Sequence, residues 1–215
     1  MRRLLKEVIK PLYYYLKDTK LREFYRIYDK FGKYERYKMV KDVRFLNFRF
    51  DVPDIPSFIW QFKDIFVDEI YKFDSNSQRP IIYDCGANIG MSCLYFKLLY
   101  PNARVIAFEA DSFLADILRN NLQKNGISNN VEIINAAVWI ENGEIDFSRD
   151  FADGGSVYGT SNNYRVKAVR LRDFLEKENK VDMLKMDIEG AEYDVLFDCK
   201  DVLGIVENIF VEYHS

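Results

Sequence analysis

"IIYDCGANIG", residues 81–90, starts as a short apolar run, meets an acid at Asp84, and closes on Gly86 and Gly90 with Asn88 between them. An apolar run of this length bounded by glycine reads as a buried strand that turns into a helix. Glycine at such a turn lets the backbone approach a ligand and take angles closed to other residues. A dinucleotide fingerprint needs the pattern G-x-G-x-x-G. Counted from Gly86, its second and third glycine positions hold Asn88 and Met91, so the register fails. No Gly-Lys-Ser/Thr follows, which removes a P-loop as well. A carboxylate at Asp84 would oppose a phosphate and suits a cationic ligand.

Outward from this turn, strand and helix patterns alternate. "MSCLYFKLLY" is a helix ended by Pro101, "ARVIAFEA" a second strand, and "SFLADILRNNLQKNG" a helix ended by Gly126. "VEIINAAVW" reads as a third strand, followed by a strand–turn–strand excursion from Glu144 through "FADGGSVYG" to "YRVKAVRL". After a short helix at 171–178, "VDMLKMDIEGAE" reads as a strand, a loop and a helix, and "ENIFVEY" as the last strand. Nearly continuous apolar strands alternating with helices predict an α/β fold with a mostly parallel sheet covered on both faces. Ligands of such sheets bind beyond the carboxyl ends of the strands. Glu109 falls there, at the end of the second strand and 19 residues beyond Gly90, where a carboxylate can accept both hydroxyls of a ribose. With "DCGANIG" it points to an adenosyl ligand lacking a pyrophosphate, and S-adenosylmethionine has that chemistry.

The first 78 residues read differently. Apolar positions recur at helical spacing over 3–38 with Pro11 as an interruption, and "VRFLNFRFDV" (43–52) reads as a strand or hairpin. Pro53 and Pro56 stop it, Ser57 can start a helix through "FIWQFKDIFVDEIYKF", and the linker "DSNSQRP" marks a boundary. Two domains are expected: a basic, aromatic helical cap with a lead-in strand at 1–78, and a ligand-binding domain at 79–215. Residues 1–44 carry a charge of +8, leaving −11 on the rest, and seven of the fifteen tyrosines, Tyr13, Tyr14 and Tyr15 among them. An aromatic stripe at helical spacing is first of all a packing face. Docking on a glycolipid or anionic membrane surface is the functional alternative. Acids interleaved with the bases (Glu7, Asp18, Glu23, Asp29, Glu35) weaken a continuous phosphate track, so no nucleic-acid partner is expected.

With 48% hydrophobic and 30% charged residues and five prolines, the composition is globular rather than disordered. The signal-peptide-like opening is broken by Lys6, Glu7 and Lys10, and no apolar run approaches a membrane span. Three cysteines in apolar patterns (Cys85, Cys93, Cys199) read as buried thiols of a cytoplasmic protein. One histidine, His214, and no Cys/His cluster argue against a zinc site, and no metal ligands are assigned.

"DCGANIG", "AFEA", "NAAV" and "LKMDIEGAE" together resemble the FkbM-type S-adenosylmethionine-dependent methyltransferases over about residues 79–214. The resemblance implies a class I, Rossmann-like fold and O-methylation of a sugar hydroxyl of a glycan, glycolipid or related natural product. It implies that Asp84, Gly86, Asn88 and Gly90 line the methionine end of the cofactor. Glu109 would hold the ribose, and Asn135 and Ala136 would flank the adenine. Asp187 would face the sulfonium methyl and the acceptor. Asp187, Glu189 and His214, with Glu212 beside them, are the candidates for the base that an alcohol acceptor needs. A class I sheet normally continues past its fifth strand, whereas this chain ends at "FVEYHS". The C-terminal strands are therefore expected to be missing, with the pocket's end missing too or supplied by a second copy. A nicotinamide-dependent oxidoreductase and a non-catalytic adenosyl-binding module are the competing readings.

Overall fold

The computed structural model describes residues 18–150, 154–156 and 163–214. Pro11, Tyr13–Tyr15 and the tip of the "FADGGSVYG" excursion lie outside the described residues. The chain forms two compact units, Met1–Ile70 and Tyr71–Ser215. No described helix is long and apolar enough to cross a membrane.

In the first unit, helix α1 (Thr19–Phe31) is started by Asp18, whose carboxylate accepts from the amides of Lys20 and Leu21. It buries Phe24, Ile27 and Phe31 and leaves Tyr25 and Tyr28 exposed. Strands β1 (Val40–Phe45) and β2 (Phe48–Val52) form an antiparallel hairpin whose turn holds Leu46 at φ 48°. Phe45 packs edge-on against Phe58 and Phe62 of α2 (Ile55–Phe62). This helix begins at Ile55, before Pro56, and not at Ser57 as the sequence led us to expect. A proline in the first turn lacks only an N–H that would have had no partner there. The expected run to Phe73 is also cut short. The helix passes into a π turn at Lys63–Val67, and Glu69 takes φ 54°, which no helix can continue.

The second unit is built on a five-stranded sheet, entirely parallel, in the order β11 (Ile209–Val211), β10 (Met183–Met186), β3 (Ile81–Cys85), β4 (Arg104–Phe108), β5 (Val131–Ile134). Helices α3 (Met91–Leu99) and α4 (Ser112–Lys124) connect β3, β4 and β5. The chain winds outward from β3 to β5 and returns on the other side of β3 to form β10. The strand order reverses between β3 and β10, where an α/β sheet opens a crevice.

"VEIINAAVW" is not one strand. β5 ends at Ile134, and β6 (Ala137–Trp139) joins a separate four-stranded sheet with β7 (Gly143–Asp150), β8 (Gly154–Ser156) and β9 (Asn163–Arg170). The amide of Ala136 turns back onto the carbonyl of Ile134, while Asn135 Nδ2 donates to the carbonyls of Glu109 and Ala110. A change of sheet within two residues leaves no trace in hydrophobic periodicity. A short helix, α5 (Arg172–Leu175), precedes β10, and α6 (Glu192–Cys199) leads toward β11.

Candidate active site

The turn after β3 lies at this reversal of strand order. Gly86 sits at φ 84°, and its amide and that of Ala87 both donate to the Phe108 carbonyl, at 3.0 and 2.9 Å. A Cβ at Gly86 would lie 1.8 Å from the carbonyl oxygen of Asp187. The glycine therefore makes room for the backbone leaving β10, the neighbouring strand. The ligand is not what occupies that space, contrary to what the glycine spacing alone suggested. Gly90, at φ 97°, is required for a second reason, since a Cβ there would meet Leu118 Cδ1 at 2.6 Å. It lets α3 start against α4, and its side-chain position faces protein.

Asp84, at the end of β3, is fully buried. Its Oδ2 accepts from Ser92 Oγ at 2.6 Å and Cys93 Sγ at 3.3 Å. Its Oδ1 has no hydrogen-bond partner and faces Lys185 Nζ at 3.4 Å. Lys185 itself is buried within β10. Its ammonium donates to the Gly86 carbonyl at 2.5 Å and the Cys85 carbonyl at 3.3 Å, and lies 3.4 Å from Asp187 Oδ2. Burial pulls the lysine pKa down, but Asp187 and Asp84 outweigh it and hold the group charged, well above its ordinary value. One ammonium between two carboxylates leaves a net negative charge at the crevice.

Glu109, just past β4, is also buried. Its two oxygens each accept one backbone N–H at 2.9 Å, Oε2 from Asn88 and Oε1 from Asp111. Asn88 reaches this position with φ 48°. Burial raises the Glu109 pKa to about 7, and the two N–H bonds only partly offset it. A carboxylate oxygen with one N–H bond still has a lone pair to offer, so both oxygens can take a hydroxyl donor. Asn135 spends its amide on the backbone beyond β4, and Ala136 is buried beside it. Both follow β5, with Asn135 bonded to the Glu109 carbonyl.

Beyond β10 and β11 the chemistry changes. The turn after Asp187 holds Glu189 at φ 58° and Gly190 at φ 107°. Glu192, fully buried, gathers it: Oε1 accepts from the Ile188 amide at 2.9 Å and Oε2 from the Gly190 amide at 3.0 Å. Burial raises the Glu192 pKa, but the backbone N–H bonds outweigh this and leave it lowered. His214 Nδ1 lies 3.2 Å from Glu192 Oε1, while Nε2 is 3.7 Å from Glu189 Oε2 and 4.0 Å from Glu212 Oε1. Burial lowers the His214 pKa, and Glu189 first, then Glu192, more than restore it. The Glu212 amide donates to the Met186 carbonyl, tying the ends of β10 and β11 together.

Residues 84–215 match the family model of the methyltransferase FkbM domain. The chain belongs to the FkbM methyltransferase family. It is 29% identical over 156 residues to 2-O-methyltransferase NoeI of Sinorhizobium fredii, covering 62% of this chain and 63% of that protein. It is 24% identical to hexuronic acid methyltransferase AglP of Haloferax volcanii, covering 84% of this chain and 76% of that one. The crystal structure of an FkbM methyltransferase from Methylobacillus flagellatus is similar at TM-score 0.46 and 16% identity. That similarity covers 69% of this chain and 40% of the other.

Within this FkbM domain the predicted residues fall into two groups. Asp84, Gly86, Asn88, Glu109, Asn135 and Ala136 lie around the ends of β3, β4 and β5. Asp187, Glu189, Glu212 and His214 lie around the ends of β10 and β11. Lys185 and Glu192 were not singled out from sequence. A lysine inside a four-residue apolar strand is itself a signal, because a charge buried on a central strand needs a partner. Glu192 carries no such mark, since a glutamate in the first turn of a helix is ordinary.

Proposed function

We propose that the protein transfers a methyl group from S-adenosylmethionine to a sugar hydroxyl of a glycan, glycolipid or related natural product. The observation that carries this reading is the run of charge Asp84–Lys185–Asp187 across the switch point, its first two members buried and its last part-exposed. Glu109 stands at one end of the crevice and the Asp187–Glu189–His214 cluster at the other. The donor set fits the cofactor: the net negative charge of Asp84, Lys185 and Asp187 suits its cationic groups, and Glu109 suits a ribose. S-adenosylmethionine supplies, when bound, a methyl carbon already activated by a sulfonium.

The protein's part is alignment and a place for one proton. The turn after β3 is held by backbone bonds to Phe108, and Asp187 is held by the bond from its amide to the Cys85 carbonyl at 3.1 Å. That geometry converts a bimolecular displacement into a positioned one. The acceptor's proton leaves within the Asp187–Glu189–His214 cluster, and Glu192 keeps His214 in one orientation. Methylation at oxygen agrees with the name of one relative, a 2-O-methyltransferase, and a sugar acceptor with the name of another, a hexuronic acid methyltransferase. The basic arm at 1–44 would suit an acceptor carried on an anionic surface.

Calorimetry with S-adenosylhomocysteine, and transfer of labelled methyl from S-adenosylmethionine to a panel of uronic acids and amino sugars, test the proposal. Binding of the thioether and label on a sugar oxygen are expected. Binding of NADH with no binding of the thioether would overturn it.

A further inference from the structure

Asp187, Glu212 and His214 each offer one ligand atom, and the three atoms lie within 4.8 Å of one another. They come from the ends of two adjacent strands, held in register by the Glu212 amide on the Met186 carbonyl. His214 is prepared in a particular way. Its Nδ1 is tied to the buried Glu192 carboxylate, which directs Nε2 to the side of Glu189 and Glu212. A carboxylate on the far nitrogen is how metal-bound histidines are oriented and made better donors.

The side chains around the imidazole point the same way. Asp187, Glu189 and Glu212 gather at one imidazole edge, and Lys185, 3.4 Å from Asp187 Oδ2, is shared with Asp84 and the Gly86 carbonyl. Metal–oxygen and metal–nitrogen bonds of about 2.0–2.2 Å bring neighbouring ligand atoms to roughly 3–4 Å. Part-exposed side chains of this kind close the remaining gap by small rotations. Two carboxylates and one imidazole, with no thiolate, suit a hard or borderline divalent ion.

We propose that Asp187, Glu212 and His214 bind one divalent cation of the magnesium–manganese class, and that this cation orients the acceptor hydroxyl. The inference rests on the methyltransferase reading for its purpose, though not for its test. A hydroxyl oxygen touching the cation gives up its proton more readily, and Glu189, beside His214 Nε2, is placed to take it. Vicinal hydroxyls or a carboxylate on the acceptor would give the cation a second point of contact, which favours diols and uronic acids.

The test uses the full chain stripped with a chelator, with neither cofactor nor acceptor present. Manganese titrated by calorimetry and by its paramagnetic resonance signal should bind at one ion per chain, with magnesium competing. Glu212→Gln and His214→Gln should each weaken binding at least tenfold. Glu192→Gln, which touches no ion, should weaken it about 10–100-fold. Glu212→Gln alters a side chain that is half exposed, so it remains a clean test even if Glu192→Gln fails to fold. Absence of manganese binding at millimolar concentration overturns the inference, as does equal binding in Asp187→Asn/Glu212→Gln. Manganese binding without thioether binding would keep the cation site and sink the methyltransferase reading. Chelator-resistant methyl transfer without manganese binding would do the reverse.

Discussion

The turn after β3 and the turn after β10 are made from similar pieces to different ends. Each pairs glycine with a left-handed non-glycine residue, Asn88 among Gly86 and Gly90 in the first, Glu189 beside Gly190 in the second. The first is fastened by main chain, through the Gly86 and Ala87 amides on Phe108, and its one acid, Asp84, is fully buried. The second is fastened by a side chain, Glu192, and presents Asp187, Glu189 and His214 part-exposed, at 25%, 26% and 33%. A ligand common to many reactions can be held by backbone groups, whose geometry most side-chain substitutions leave in place. An acceptor that differs from one enzyme to the next is better met by side chains hung on one buried anchor.

Asp187 belongs to both halves, and its substitution is expected to have the largest effect. Asp187→Asn keeps the shape and removes a carboxylate from the reacting end. Single-turnover methyl transfer should slow by about a hundredfold to ten-thousandfold, the usual weight of acid–base assistance. Cofactor affinity, measured alongside, should change much less, because Asp84 still pairs with Lys185. A mutant that turns over normally would take Asp187 away from the reacting end, and one that cannot hold cofactor would move it wholly to the first half.

Next comes the backbone half itself. Gly86→Ala drives a Cβ into the Asp187 carbonyl at 1.8 Å from a left-handed backbone, with no flexible atom to yield. Overpacking and backbone strain together should cost about 2–5 kcal/mol in a urea melt. Gly90→Ala meets the ends of the Leu118 and Leu122 side chains, of which the closer, Leu118, can rotate away, so about 1–2 kcal/mol is expected there. Equal losses at the two sites would show that the strand ends beside Gly86 can shift, and the contrast would fail.

Smaller than the Gly86 effect, and specific to the ligand, is that of Glu109. Glu109→Ala should weaken cofactor binding by about 1.5–3 kcal/mol, the scale of hydrogen bonds to a charged group. Its pKa near 7 adds a sign. A ribose diol donates to the ionised carboxylate, so the ligand favours the deprotonated form and binding releases a proton. Affinity should rise with pH up to about 7 and level off above it, by at most about tenfold per pH unit below. Calorimetry in two buffers of different ionisation heat checks the proton release. A flat profile in the unaltered protein would detach Glu109 from the ribose.

The residues that carry the first half were legible in the chain because a strand end is a local event. Apolar runs broken at Asp84, Glu109 and Asp187 put three acids at carboxyl ends before any strand order was known. The second half was legible in kind but not in arrangement. Asp187, Glu189 and His214 could be named as acids and a base, yet what orients His214 is a glutamate 22 residues earlier on another element.

Periodicity and glycine placement were enough for the α/β class and for the alternation of strands and helices along the chain, though not for the change of sheet inside "VEIINAAVW". Each depends on residues a few positions apart, within the reach of local sterics and side-chain alternation. Sheet order decided the rest. Because β10 returns beside β3, Lys185 lies between Asp84 and Asp187, and Gly86 meets the carbonyl of a residue about a hundred positions away. Because β11 flanks β10, His214 reaches Glu192. Pairing of parallel strands far apart in sequence is chosen by how the whole sheet buries its two faces, and that choice has no local signature.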